Sequence, residues 1–200
     1  MLRLLFVCIV AAAIAEEVTH DGACPDMKPV ENFNLTAYQG LWYEMGKWQN
    51  GKWLYGKCKQ VEYKLDGEVV KVKNTQVGNG IPTSIEGIAT YAPDAGNSAN
   101  FVITFTFGDA VRANPLLVLQ TDYTSYSIGY NCKYDEKKKT HQITAWVLSR
   151  SQALPGDARA TVEAFLKSNT KEVDASKLLT DISETCKFNG TALITEPVKP

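Results

Sequence analysis

From Leu41 to Arg150 the chain repeats one pattern: short runs whose side chains alternate between apolar and polar, each closed by turn residues. A period of two marks a strand with one face in a core, and it argues against helix over this stretch. Gly56 to Leu65 alternates and ends in Asp66-Gly67, a pair suited to the positive φ angles of a two-residue hairpin. Glu68 to Val77 follows, with Val70, Val72, Asn74 and Gln76 on one face and Lys71 and Lys73 on the other. Gly78-Asn79-Gly80 leads to Thr83–Tyr91, and Pro93-Asp94-Ala95-Gly96-Asn97 turns the chain into Asn100–Phe107. There Phe101, Ile103, Phe105 and Phe107 share a face, opposite Thr104 and Thr106. Leu116–Gln120, Tyr126–Tyr134 and His141–Ser149 follow, and with Leu41–Trp48 they make eight strands.

Eight sequential strands joined by short turns suit an up-and-down barrel, which closes on itself and leaves no sheet edge. A barrel of about eight strands has room inside for one small ligand. A β-sandwich would show the same patterning, so periodicity leaves both architectures open. The period changes only after Leu154-Pro155-Gly156. Asp157 is placed to cap a helix carrying Val162, Phe165 and Leu166 on one stripe and ending near Asn169. A second helical turn is expected at Asp174-Ala175-Ser176, placing Leu178 and Leu179.

The N-terminus carries a processing signal. Arg3, the apolar run Leu4 to Ala13 and the small-x-small Ala13-Ile14-Ala15 read as a secretory leader over residues 1–15, leaving one domain over 16–200. The run is shorter than the roughly 20 apolar residues of a membrane-spanning helix, so no membrane insertion is expected. Cys8 leaves with the leader, and an even set in an oxidising compartment (Cys24, Cys58, Cys132 and Cys186) argues for two disulfides. Spacing allows three pairings. A metal site is not expected, because no CxxC pair is present and His20 lies far from His141. Asn34-Leu35-Thr36 and Asn189-Gly190-Thr191 are glycosylation sequons consistent with an extracellular protein. With 21 basic and 22 acidic residues there is no basic face to draw nucleic acid.

Three segments separate the barrel from the sandwich. Asn32-Phe33 with Gly40-Leu41-Trp42-Tyr43 opens the first strand, Thr121-Asp122-Tyr123 lies between the sixth and seventh, and Arg150 closes the eighth. In this order they resemble the three motifs of the lipocalin family: an all-β, eight-stranded antiparallel up-and-down β-barrel with a C-terminal α-helix packed outside. The resemblance implies that the motifs meet at the closed end, with the Arg150 guanidinium over the Trp42 ring. Such a contact contributes about 0.5–2 kcal/mol. Gly40, Trp42, Thr121, Asp122, Tyr123 and Arg150 are therefore expected to be structural.

A closer likeness runs through His20 to Pro25, Lys28-Pro29-Val30, Tyr55 to Cys58, Ile128-Gly129-Tyr130, Cys132 to Glu136 and Trp146 to Ser151. These segments resemble the insect bilin-binding proteins and insecticyanins. That resemblance implies the pairings Cys24–Cys132 and Cys58–Cys186, a non-covalently held bilin such as biliverdin, and a tendency to form homo-oligomers. Alternation puts Ile103, Phe105 and Phe107 on one inward face, groups Val72 with Asn74 and Gln76, and groups Gln142 with Thr144 and Trp146. The resemblance places those faces in the cavity and adds Ile85, Leu116, Val118 and Asn131. The pocket would be aromatic and aliphatic below, with an amide belt near the mouth. Trp53 is expected as a lid, and Lys52 and Arg112 as cations for the pigment's propionates.

Gln76 stands where some members of that group carry a histidine, and Asn131 where an aromatic is found. The alternative is therefore the same barrel carrying a carotenoid, retinoid, fatty acid or odorant. An enzyme is not expected. The mature cysteines are accounted for by disulfides, no Ser/His/Asp set is present, and His141 reads as a solvated strand end.

Overall fold

Eight long antiparallel strands close into a barrel in the computed structural model, which describes residues 18–49, 51–54, 58–78, 81–175 and 193–194. They are β2 (Gly40–Gln49), β4 (Gln60–Asp66), β5 (Val69–Gly78), β6 (Ile81–Tyr91), β7 (Asn100–Phe107), β8 (Ala110–Thr121), β9 (Tyr126–Asp135) and β10 (Thr140–Ser149). Each pairs with the next, and β10 returns to pair with β2, so the wall has no free edge around its girth. Three short strands add to it: β1 (His20–Asp21) on β10, β3 (Lys52–Leu54) on β2 and β11 (Leu193–Ile194) parallel to β6. Helix α1 (Leu35–Tyr38) precedes β2, and α2 (Gly156–Asn169) follows β10.

Alternation divides the apolar residues between two cores. The inward face fills the closed end with Phe33, Tyr38, Trp42, Val61, Tyr63, Val72, Phe101 and Val118. The outward faces of β9 and β10 meet α2, where Ile143, Ala145 and Val147 pack with Ala158, Val162 and Leu166. Val162 and Leu166 are fully buried, and burying one such side chain contributes about 1.5–3 kcal/mol. A register shift lies in β2 where Leu148 pairs with Glu44 but Val147 pairs with Gly46. This bulge reverses the face: Trp42 packs inward, while Met45 and Trp48 pack outward against the α2 core.

Several expectations are corrected. The sixth strand begins at Ala110 rather than Leu116, pairing with β7 along its length. Pro115 is tolerated inside it because the ladder to β9 starts only at Leu117. The free Pro115 carbonyl accepts a hydrogen bond from Asn131 Nδ2 at 2.6 Å. Asp157 lies in the first turn of α2 instead of capping it; Pro155 occupies the cap. His141 is buried rather than solvated, its Nδ1 3.0 Å from the Gly22 carbonyl and its ring 5.4 Å from that of His20.

The closed end holds the three motifs together. The Arg150 guanidinium carbon sits 3.7 Å from the centre of the Trp42 ring. Asp122 Oδ1 accepts from the amides of Thr124, Ser125 and Tyr126, which shapes the β8–β9 turn. Cys24 and Cys132 form a disulfide that ties the N-terminal segment to β9. Cys58 is also disulfide-bonded, while Cys186, Asn189 and the leader residues 1–15 lie outside the described residues. Replacing Cys24 and Cys132 with serine is expected to destabilise the barrel by about 2–5 kcal/mol, read as a lowered Tm in non-reducing buffer. An unchanged Tm would show that the bridge adds nothing to the fold.

Candidate ligand cavity

A cavity of about 410 Å³ lies inside the barrel, within the roughly 300–1,000 Å³ typical of small-molecule sites. The β10 ladder gives its levels. Deepest is Leu148, paired with Glu44; next comes Trp146, flanked by Lys47 and Gly129; then Thr144, flanked by Gln49 and Asn131; and nearest the mouth Gln142, paired with Lys133. All these residues line the cavity. The opposite wall comes from β5, β7 and β8, with Val72 and Asn74, Ile103 and Phe105, and Asn114 to Leu116.

Among the expected ligand residues, Val72, Asn74, Ile103, Phe105, Leu116, Asn131, Gln142, Thr144 and Trp146 line this one cavity. Val118 is inward but lies below it in the closed-end core. Gln76, Ile85 and Phe107 share the inward parity of their strands without lining the cavity; Gln76 is exposed, and Phe107 pairs with Ala110 beside the hairpin. Trp53 places its backbone on β3 opposite Trp48. Lys52 and Arg112 are exposed and are not on the wall.

The wall carries charge that alternation did not reveal. Glu44, Lys47 and Lys133 all face inward, as do Asn114 and the phenols Tyr38 and Tyr63. The β2 bulge brings Lys47 and Gln49 to the same side as Glu44, against a strict period of two. Burial pushes the Glu44 carboxyl above the usual carboxylate range, against the opposing pull of Lys59 and Lys47. Burial likewise lowers the Lys47 ammonium, which lies 5.6 Å from the centre of the Trp146 ring. The Tyr38 hydroxyl, 2.8 Å from Ser127 Oγ, is pushed up to about 12 by burial, and Tyr63 is raised well above its ordinary value. Both phenols therefore remain neutral at physiological pH.

One glycine shapes the wall. Gly87 on β6 pairs with Val72 and Phe105, and the Phe105 ring lies across the space a side chain would take. The ring stacks on Phe107 with centroids 6.2 Å apart, flat along the wall. The site thus combines an apolar floor, flat aromatics, several amides, two lysines and one carboxylate. It suits a single ligand having broad apolar faces, hydrogen-bond donors and acid groups.

A family model for the lipocalin / cytosolic fatty-acid binding protein family matches residues 39–181. The chain is 43% identical to the bilin-binding protein of Pieris brassicae over 191 residues, covering 94% of this chain and 100% of that protein. It is 41% identical to insecticyanin-B of Manduca sexta over 192 residues, covering 94% and 93% of the two chains. The solved structure of insecticyanin from the same hornworm superposes with a TM-score of 0.75 at 41% identity, over 84% of this chain and 91% of the other.

Proposed function

The chain belongs to the lipocalin family, and from that premise we propose that it is a secreted, non-catalytic carrier of one bilin pigment, biliverdin or a close analogue. The observation that carries this reading is the pairing of apolar and polar wall in one cavity. Phe105 and Trp146 offer flat surfaces for pyrrole rings, while Asn74, Asn114, Asn131 and Gln142 surround them with amides. Asn131 and Asn114 are each already bonded through one amide atom, to the Pro115 carbonyl and to Lys133 Nζ. A carotenoid or fatty acid would still leave the Asn74 amide and the remaining Asn114 and Asn131 amide atoms unanswered once water is displaced, which is unfavourable by about 1–3 kcal/mol for each unpaired group. Lys133, at the mouth level and bonded to Asn114 Oδ1 at 3.1 Å, and Lys47 deeper in are the wall cations for the propionates. They take the role that exposed Lys52 and Arg112 were expected to fill.

Export fits the same reading. Residues 1–15 would be removed, residues 16–200 would form the mature domain, and Asn34 and Asn189 would be open to glycosylation. Trp53 would close over the pigment from the mouth.

Titrating recombinant, pigment-free protein with biliverdin is expected to give a saturable one-to-one complex with a red-shifted visible band, submicromolar affinity and parallel quenching of tryptophan. Absence of the band, with quenching by retinol or a fatty acid instead, would overturn the bilin reading and leave a carrier of another ligand.

A further inference from the structure

Among the described residues, Glu44 is the only acidic side chain on the cavity wall. It stands at the deepest level, paired with Leu148 and one inward step above Trp42. Its Oε1 is buried and accepts no hydrogen bond. Lys59 Nζ lies 3.5 Å away, forming an ion pair with Oε1 that is longer than an ordinary charge-assisted hydrogen bond. The groups facing Glu44 are Lys47 from its own strand, Lys59 just before β4, Tyr63 from β4, and apolar Leu148 from β10. Lys133 on β9 acts on Lys47 rather than on Glu44.

Several donors on this wall are already engaged. Asn131 Nδ2 is bonded to the Pro115 carbonyl, Lys133 Nζ to Asn114 Oδ1, and the Tyr38 hydroxyl to Ser127. Among the described residues, the buried wall atoms without a hydrogen-bond partner, Glu44 Oε1 and Gln60 Oε1, are both acceptors, and Glu44 is the charged one. Water can serve it until a ligand fills the cavity; an apolar ligand would then strip that water and return nothing. A ligand acid group is the wrong partner, since it would repel the carboxylate and find lysines nearer the mouth. What answers a buried carboxylate whose one ion pair is as long as 3.5 Å is an N–H donor, through a shorter charge-assisted bond.

We infer that Glu44 determines the specificity of the cavity, accepting hydrogen bonds from the pyrrole N–H groups of the bilin while the pigment's acid groups lie towards Lys133 and the mouth. This rests on the bilin reading and adds to it an orientation and a chemical reason for selection. A carboxylate beside the conjugated system also sets its electronic state, so the colour of the complex depends on this residue.

The test compares wild type, Glu44→Leu and Glu44→Gln for biliverdin binding, with retinoic acid as an acid that lacks N–H groups and near-UV circular dichroism as the check of fold. Glu44→Leu is expected to lose about 10- to 100-fold in biliverdin affinity, with retinoic acid quenching no weaker than in wild type. Glu44→Gln keeps an acceptor oxygen but not the charge, so it should bind more weakly and shift the visible band. Wild-type affinity and an unmoved band in both variants would overturn the inference while leaving the bilin reading intact. If the leucine variant fails to fold, the glutamine variant decides by band position alone. If wild type forms no pigment band, the bilin reading fails and this inference fails with it.

Discussion

Arg150→Ala is expected to destabilise the barrel by about 3–4 kcal/mol while leaving pigment affinity in the surviving folded protein nearly unchanged. The side chain closes the barrel's end by serving four main-chain carbonyls at once. Nε donates to Tyr123 at 3.0 Å, Nη1 to Leu41 at 3.0 Å, and Nη2 to Ala37 at 3.0 Å and Tyr38 at 3.2 Å. Those carbonyls belong to the β8–β9 turn, the start of β2 and helix α1, so one planar group joins three separate segments. The same plane covers Trp42, whose Nε1 donates to the Tyr38 carbonyl at 2.9 Å. Gly40 leaves the space: its φ is +96°, and a Cβ there would stand 3.3 Å from Arg150 Nη1.

Removing the guanidinium strands carbonyls that are only partly reachable by water, which accounts for most of the expected loss. Arg150→Lys keeps the charge but replaces a rigid fork by one flexible ammonium, and should recover less than half of it. Urea unfolding at pH 7 reads both, as a fall in midpoint at constant slope. A double-mutant cycle with Trp42→Phe isolates the stacking share, expected at about 0.5–2 kcal/mol. A loss below about 1 kcal/mol in Arg150→Ala would show that the end of the barrel is held by packing instead, at the level of an exposed ion pair.

The motif residues were legible because their chemistry does not depend on register: an arginine over a tryptophan needs only that both ends meet. Strand alternation was legible for the same reason over β5, β7 and β10, whose inward residues follow an unbroken period of two. It identifies a face but not a height. Gln76 and Phe107 share the inward parity of Asn74 and Phe105, yet lie past the cavity because their strands run on to the mouth. In β2 even the face was hidden. A one-residue bulge near Gly46 leaves no compositional mark, so Lys47 and Gln49 could not be assigned to the same face as Trp42 and Glu44 from spacing. The start of β8 was hidden by Pro115 and the polar run Arg112-Ala113-Asn114, which reads as loop until β7 is seen pairing with it. Lys133 carries no mark of its own in the sequence, and only its strand position opposite Gln142 turns it inward.

Gly87→Ala should weaken pigment binding about tenfold or more and reduce stability by about 1–3 kcal/mol, the range for overpacking a filled site. The added Cβ would lie 2.7 Å from Phe105 Cδ1, 2.8 Å from Cε1 and 2.7 Å from the Thr104 carbonyl oxygen. Real Cβ atoms do not approach that closely, and the carbonyl is held in the β6–β7 ladder. Gly87 does not have a positive φ, so the penalty is one of contact rather than backbone strain. The movable partner is the phenyl ring, which lies on the glycine in the manner of an aromatic shielding a bare position in a sheet. Displaced, it can only swing into the cavity it now lines, occupying the volume intended for the ligand. Truncating the ring tests this directly. In a Gly87→Ala, Phe105→Ala double variant the alanine meets no phenyl, so the two changes should be less than additive in stability, and pigment affinity should rise above that of Gly87→Ala alone. The rescue should be partial, since the Thr104 oxygen remains. Additive losses would mean that the ring does not mediate the effect, and wild-type binding by Gly87→Ala would mean that the wall at β6 can yield without narrowing the site.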